Sequence, residues 1–108
     1  MRRRLIAVAG IVALTTLPVL AAKTLTVVQR GLELDHKTLA ISKGDRVAFE
    51  NQDDVIHNIH IFGPGADEEE DLGLQKPGER LNYKFDKDGL FLVRCNIHPS
   101  IKMSVAVK

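Results

Sequence analysis

Cys95-Asn96-Ile97-His98-Pro99-Ser100-Ile101-Lys102-Met103 gathers the sole cysteine of this 108-residue chain, a histidine and a methionine into one short stretch. Thiolate, imidazole and thioether are the donors that soft and borderline metals prefer, copper above all. A trigonal site of two imidazoles and one thiolate needs a second histidine, and Ile56-His57-Asn58-Ile59-His60 offers two candidates, His57 and His60. Taken singly, a buried thiol, a surface histidine and a core methionine are ordinary features of a small domain. Their combined spacing, with a histidine-bearing segment upstream, points to one mononuclear copper centre.

The elements around these residues read as β throughout. Thr24 to Gln29 is rich in Thr, Val and Leu, residues that suit a pleated, half-buried surface. Leu32 and Leu34 form a short segment before a turn at Asp35-His36-Lys37, where His36 is an exposed turn residue. Leu39 and Ile41, then Val47 and Phe49, alternate with smaller or polar residues as one-sided strands do. Gly44 marks the connection between them. After the polar loop Asn51-Gln52-Asp53-Asp54, a strand over Val55 to Phe62 puts His57, Ile59 and Ile61 on one face and Asn58 and His60 on the other. The isoleucine face is the buried one, which selects His57 as the ligand and leaves His60 outside.

Gly63-Pro64-Gly65 breaks that strand, and the five acids Asp67 to Asp71 read as a loop, either a plain solvated charge run or a docking patch for a basic partner. Leu72 and Leu74 return to the core around Gly73, and Pro77-Gly78 turns into a strand over Glu79 to Phe85 with Leu81, Tyr83 and Phe85 on one face. Leu90 to Cys95 reads as a strand buried on much of both faces, with Phe91, Val93 and Cys95 on one side. Met103, Val105 and Val107 share a face of the last strand. Seven or eight short strands, punctuated by turns and without a helix signature, predict an all-β Greek-key sandwich.

At the N-terminus, Arg2, Arg3 and Arg4 precede an apolar run from Leu5 to Leu20 that ends in Ala21-Ala22, the pattern of a secretory signal peptide. Thr15, Thr16 and Pro18 interrupt the run, which argues against a membrane span. The expected organisation is a cleaved leader over residues 1–21 and one domain over 22–108, exported to the periplasm without stable membrane insertion. Loss of the three arginines turns a formal net charge of +1 into a slight acidic excess, and no basic stripe suggests nucleic-acid binding. One cysteine makes no internal disulfide, so in an oxidising compartment a metal ligand is its best use.

The Cys-x2-His-Pro loop, the His57-Asn58 pair and the length resemble the small cupredoxins, the blue (type 1) copper proteins such as plastocyanin and amicyanin. Asp71 to Leu74, Pro77-Gly78 and Cys95 to Pro99 are similar to the plastocyanin-like group labelled methylamine-utilisation proteins. The resemblance runs from about Lys23 to Lys108. It implies one copper per chain on His57, Cys95 and His98. It also implies that the Asn58 backbone N–H bonds the Cys95 sulfur while its side chain ties two loops together. Electrons would pass through the His98 edge, in an apolar patch drawn from Pro99, Ile101 and Pro64.

The fourth ligand separates two counts. Counting forward from His98, Met103 has the plastocyanin spacing and is the expected axial ligand. Counting back from the last strand, the loop has the shorter amicyanin length, which puts Ile101 in the methionine slot, where it cannot ligate. The function expected is a periplasmic, monomeric one-electron carrier between redox protein partners, not an enzyme. The rival is a periplasmic protein that sequesters or delivers copper.

Overall fold

The computed structural model describes Gly10 and residues 21–108. The leader expected over residues 1–21 lies outside them but for Gly10 and Ala21. Nine strands follow in order: β1 (Thr24–Arg30), β2 (Glu33–Leu34), β3 (Thr38–Ile41), β4 (Arg46–Asn51), β5 (His57–Phe62), β6 (Glu69–Gln75), β7 (Arg80–Lys84), β8 (Gly89–Arg94) and β9 (Lys102–Val107). They form a four-stranded sheet, β2-β1-β4-β7, packed on a five-stranded sheet, β3-β9-β8-β5-β6. Pairs β1–β4 and β3–β9 are parallel and the others antiparallel. The all-β sandwich expected from the alternation is the fold observed. Among the described residues, no helix is long and apolar enough to cross a membrane.

The inward set of each strand makes the core. Val27, Val47 and Phe49 face Ile59, Ile61, Phe91, Val93, Met103 and Val105, all at most 3% exposed. Phe85 plugs the middle, with ring centroids 4.7 Å from Tyr83 and 5.0 Å from Phe91, both edge-on. Edge-to-face packing of this kind adds to the area term because the positive ring edge meets the negative face. Phe85→Ala is expected to destabilise the domain by about 3–5 kcal/mol through the cavity it leaves. Urea titration of the metal-free protein measures it, and a loss under about 1 kcal/mol contradicts this account of the core.

Several local expectations change. Glu69, Glu70 and Asp71 are not loop but the first half of β6. Acidic residues are depleted from strands in general, yet β6 is the outer edge of its sheet, where charge blocks pairing with another chain. Leu72 packs against the core, whereas Leu74 is 64% exposed. The reason is a bulge: Ile59 faces Gly73 and His60 faces Asp71, so Leu72 is an extra residue that shifts the inward set of β6. Leu90 and Leu92 are exposed, so β8 is covered on one face only. Val55 and Ile56 precede β5 instead of opening it, and both are exposed.

Candidate metal centre

β5 begins at His57 and β8 ends just before Cys95, at the same end of the five-stranded sheet. His57 is fully buried among the isoleucines of its face, and Cys95 is 2% exposed beneath the loop that follows. That loop is short and closed on itself. The Cys95 N–H donates to the Ile101 carbonyl at 3.1 Å, and the Ile101 N–H donates to the His98 carbonyl at 2.9 Å. Pro99, with φ fixed by its ring, stiffens the turn between them. His98 is thereby folded back over the thiol, its Nδ1 3.9 Å from Cys95 Sγ, and stays half-buried at the surface. One ring nitrogen from each histidine and the Cys95 sulfur all lie within 4.8 Å of one another. The two imidazoles stand edge to face at 5.1 Å.

Asn58 fastens this arrangement. Its backbone N–H donates to Cys95 Sγ at 3.4 Å, its Oδ1 accepts the Asn96 N–H at 3.0 Å, and its Nδ2 donates to Asp71 Oδ1 at 2.7 Å and to the Gly73 carbonyl at 3.1 Å. One side chain therefore joins the β6 bulge to the cysteine loop. Gly73 takes a φ of +89°, which presents its N–H to Asp71 Oδ1 at 2.8 Å. Those bonds from Gly73 and Asn58 hold the Asp71 carboxyl below its ordinary pKa.

Sequence reasoning passed over Asp53. Its Oδ2 lies 2.6 Å from His57 Nε2, and its side chain is only 10% exposed. Burial pushes the Asp53 carboxyl up, but hydrogen bonds from His57 and from the backbone N–H groups of Gly31 and Leu32 outweigh it and bring the pKa below the ordinary value. The other ring nitrogen of His57, Nδ1, is buried without a partner among the described residues. The only sequence signal was a polar loop ahead of His57. Nothing in it distinguished Asp53 from Asp54.

The remaining candidates fall elsewhere. His60 lies on the outer face of β5, stacked on Phe62 at 4.1 Å and bonded to Asn96. His36 is an exposed turn residue paired with Asp35. Met103 is 2% exposed and pairs with Val93 in the β8–β9 register, one inward position beyond Ile101, which lies across from Cys95 where the loop closes. Ile101 is 1% exposed and so cannot belong to a surface patch. Pro64 cannot either. It packs on Gly89 at the start of β8, whereas Cys95 follows the end of that strand. The exposed apolar residues at the centre's end include Val55, Ile56, Leu74 and Ile97.

The donor chemistry fits copper. Two imidazole nitrogens and one sulfur, close enough for a single ion to share, suit a borderline-to-soft metal and not a hard cation. The buried His57 Nδ1 has no hydrogen-bond partner among the described residues and is free to face a metal.

Comparison with known proteins agrees. The family model of copper binding proteins of the plastocyanin/azurin family matches residues 21–108. Methylamine utilization protein MauL of Methylorubrum extorquens is 32% identical over 87 residues, 81% of this chain and 75% of that protein. MauL of Methylophilus methylotrophus is 32% identical over 66 residues, 59% of this chain but only 37% of the relative's own length. Solved structures of amicyanin variants share the fold. One Cu(I) form superposes with a TM-score of 0.73 at 20% identity over 82% of this chain and 86% of the other. An oxidised form gives 0.70 at 21% identity over 79% and 82%. A chain matched by the family model over its whole described domain, with a thiolate and two imidazoles converging at one end of its sandwich, belongs to the plastocyanin/azurin family of copper-binding proteins.

Proposed function

We propose that this protein is a one-electron carrier whose copper is held by His57, Cys95 and His98 in a type 1 centre, one ion per chain. The observation that carries this reading is the convergence of the three donors on a frame held by the protein's own hydrogen bonds: two strand ends, a closed loop, and Asn58 between them. Copper supplies a one-electron couple between its two oxidation states. The protein's part is to hold one ligand geometry for both states, keeping reorganisation small. His57 and Cys95 are sealed in the core, while His98 alone reaches the surface and is the route for the electron.

The register supports a centre of three donors, with Ile101 and not the thioether of Met103 nearest the Cys95 side of the site. Val55, Ile56, Leu74 and Ile97 offer an apolar contact face there. Beside it, Lys37, Arg94 and Lys102 line an open groove of about 590 Å³ with Leu92 and Pro99. The complementary redox partner is a protein with an apolar contact surface margined by carboxylates, and its association slows as salt rises. The acidic run passes from Glu69 opposite Phe62, at the end of β5 remote from His57, to Asp71 opposite His60, and the Asp71 carboxylate is taken up by Asn58. The Arg2–Leu20 segment supports export, so the working form is a periplasmic monomer over residues 22–108, a carrier and not an enzyme.

Protein-film voltammetry combined with a chelator challenge tests the proposal. A reversible one-electron wave, with copper retained against the chelator over hours, is the expected result. Prompt surrender of the metal and no reversible wave would instead support sequestration or delivery.

A further inference from the structure

We infer that Asp53 is a positioning residue for the copper centre: its carboxylate selects which nitrogen His57 turns to the metal, and its charge lowers the reduction potential. The inference rests on the copper reading above. An ionised carboxylate only accepts hydrogen bonds, so the 2.6 Å contact between Asp53 Oδ2 and His57 Nε2 puts the imidazole proton on Nε2. The lone pair then sits on Nδ1, the buried nitrogen with no partner among the described residues. His57 is committed to that tautomer before metal binds.

Asp53 is itself built in. Gly31 and Leu32 present successive backbone N–H groups to its two oxygens, at 2.6 and 3.2 Å. They do so because both residues adopt left-handed conformations, with φ of +63° and +58°. Such a pair of N–H groups makes an anion cradle, and for Leu32, which has a Cβ, the conformation is held against its own preference. The Asp53 N–H donates to Asn51 Oδ1 at 2.9 Å, and Asn51 Nδ2 bonds the Val55 carbonyl at 2.9 Å and the Gln75 carbonyl at 3.0 Å. The loop ahead of β5 is thus folded around one carboxylate aimed at one ligand. A carboxylate behind a ligating imidazole fixes the ring and raises its basicity. A nearby negative charge favours Cu(II) over Cu(I), opposing the effect of an apolar Ile101.

Two variants separate position from charge. Asp53→Asn retains an acceptor for Nε2–H without the charge, and Asp53→Ala removes both. Nitrogen NMR of the metal-free protein at neutral pH is expected to show the Nε2–H tautomer of His57 in the wild type and in Asp53→Asn, and a mixture in Asp53→Ala. In the copper-loaded protein, Asp53→Asn is expected to weaken Cu(II) binding relative to Cu(I) at least about tenfold, a rise of about 59 mV in potential. An Nδ1–H tautomer in the metal-free wild type overturns the positioning role, and an unchanged potential in Asp53→Asn overturns the electrostatic one. Should Asp53→Ala fail to fold, the wild-type tautomer and the Asp53→Asn potential still decide. A wild type that takes up no copper defeats the copper reading itself, and the tautomer measurement, which needs no metal, then judges Asp53 alone.

Discussion

Cys95→Ser is expected to abolish the intense visible thiolate-to-copper band of the Cu(II) protein and to broaden the copper hyperfine splitting to that of an ordinary Cu(II) complex. Among the ligating side chains of the cluster, only Cys95 supplies sulfur, and its sulfur lies 3.9 Å from His98 Nδ1. A serine hydroxyl is a hard, protonated donor with little affinity for Cu(I). Copper affinity should fall by more than the roughly 10–100-fold typical of losing a residue behind the ligands. Cys95 is buried, and its sulfur accepts the Asn58 N–H at 3.4 Å, so the substitution also buries a hydroxyl whose shorter bond to Cβ draws it back from that donor. That change costs about 1–3 kcal/mol where the new group is left unpaired. His60→Ala is the control. His60 lies outside the cluster, and its loss should leave the band intact. A Cys95→Ser protein that keeps the full band would place copper away from this loop and end the type 1 assignment.

The second large effect concerns the axial position, where a pair of substitutions is expected to behave in opposite ways. Met103→Leu should leave the visible and EPR spectra unchanged and cost less than about 1.5 kcal/mol, as a volume-conserving exchange in a packed core. Ile101→Met should alter both spectra and lower the potential. The physical reason is the β8–β9 register. Met103 is opposite Val93, while Ile101 is the residue whose carbonyl accepts the Cys95 N–H at 3.1 Å. Side chains two residues apart on a strand are separated by roughly 6–7 Å, so both cannot serve one ion equally. A thioether introduced at position 101 adds a weak axial donor, and axial donation tunes the potential of such centres. If Met103→Leu changes the spectrum while Ile101→Met does not, the forward count from His98 is the right one and Met103 is the axial ligand.

The two counts disagreed in the sequence because loop length is measured from different ends, and only strand pairing says where the loop stops. The same limit explains β6. Five consecutive acids carry no inward face, so period-two reasoning had no purchase, and their place at a sheet edge follows from which strand pairs with β5. Leu74 and the outer leucines of β8 were misjudged because hydrophobicity alone does not reveal that one face of a sheet is left uncovered.

By itself the sequence determined the β class, the inward set of β5 and β9, and the donors Cys95 and His98, because alternation and ligand spacing are local properties written every two or three residues. The choice of His57 over His60 was also local, since a strand's pleat sends neighbours to opposite faces. Only the tertiary structure decided which residues meet across long separations. The Asn58 contact with Cys95 over 37 positions was expected only through the family resemblance, and nothing local anticipated the backbone groups more than 20 positions upstream that grip the Asp53 carboxylate. Such contacts depend on sheet order, register and two left-handed residues, none of which leaves a periodic trace. The converging donors His57, Cys95 and His98 were legible because chemistry restricts their types, and the Asp53 support was not, because any acceptor in the right place would serve.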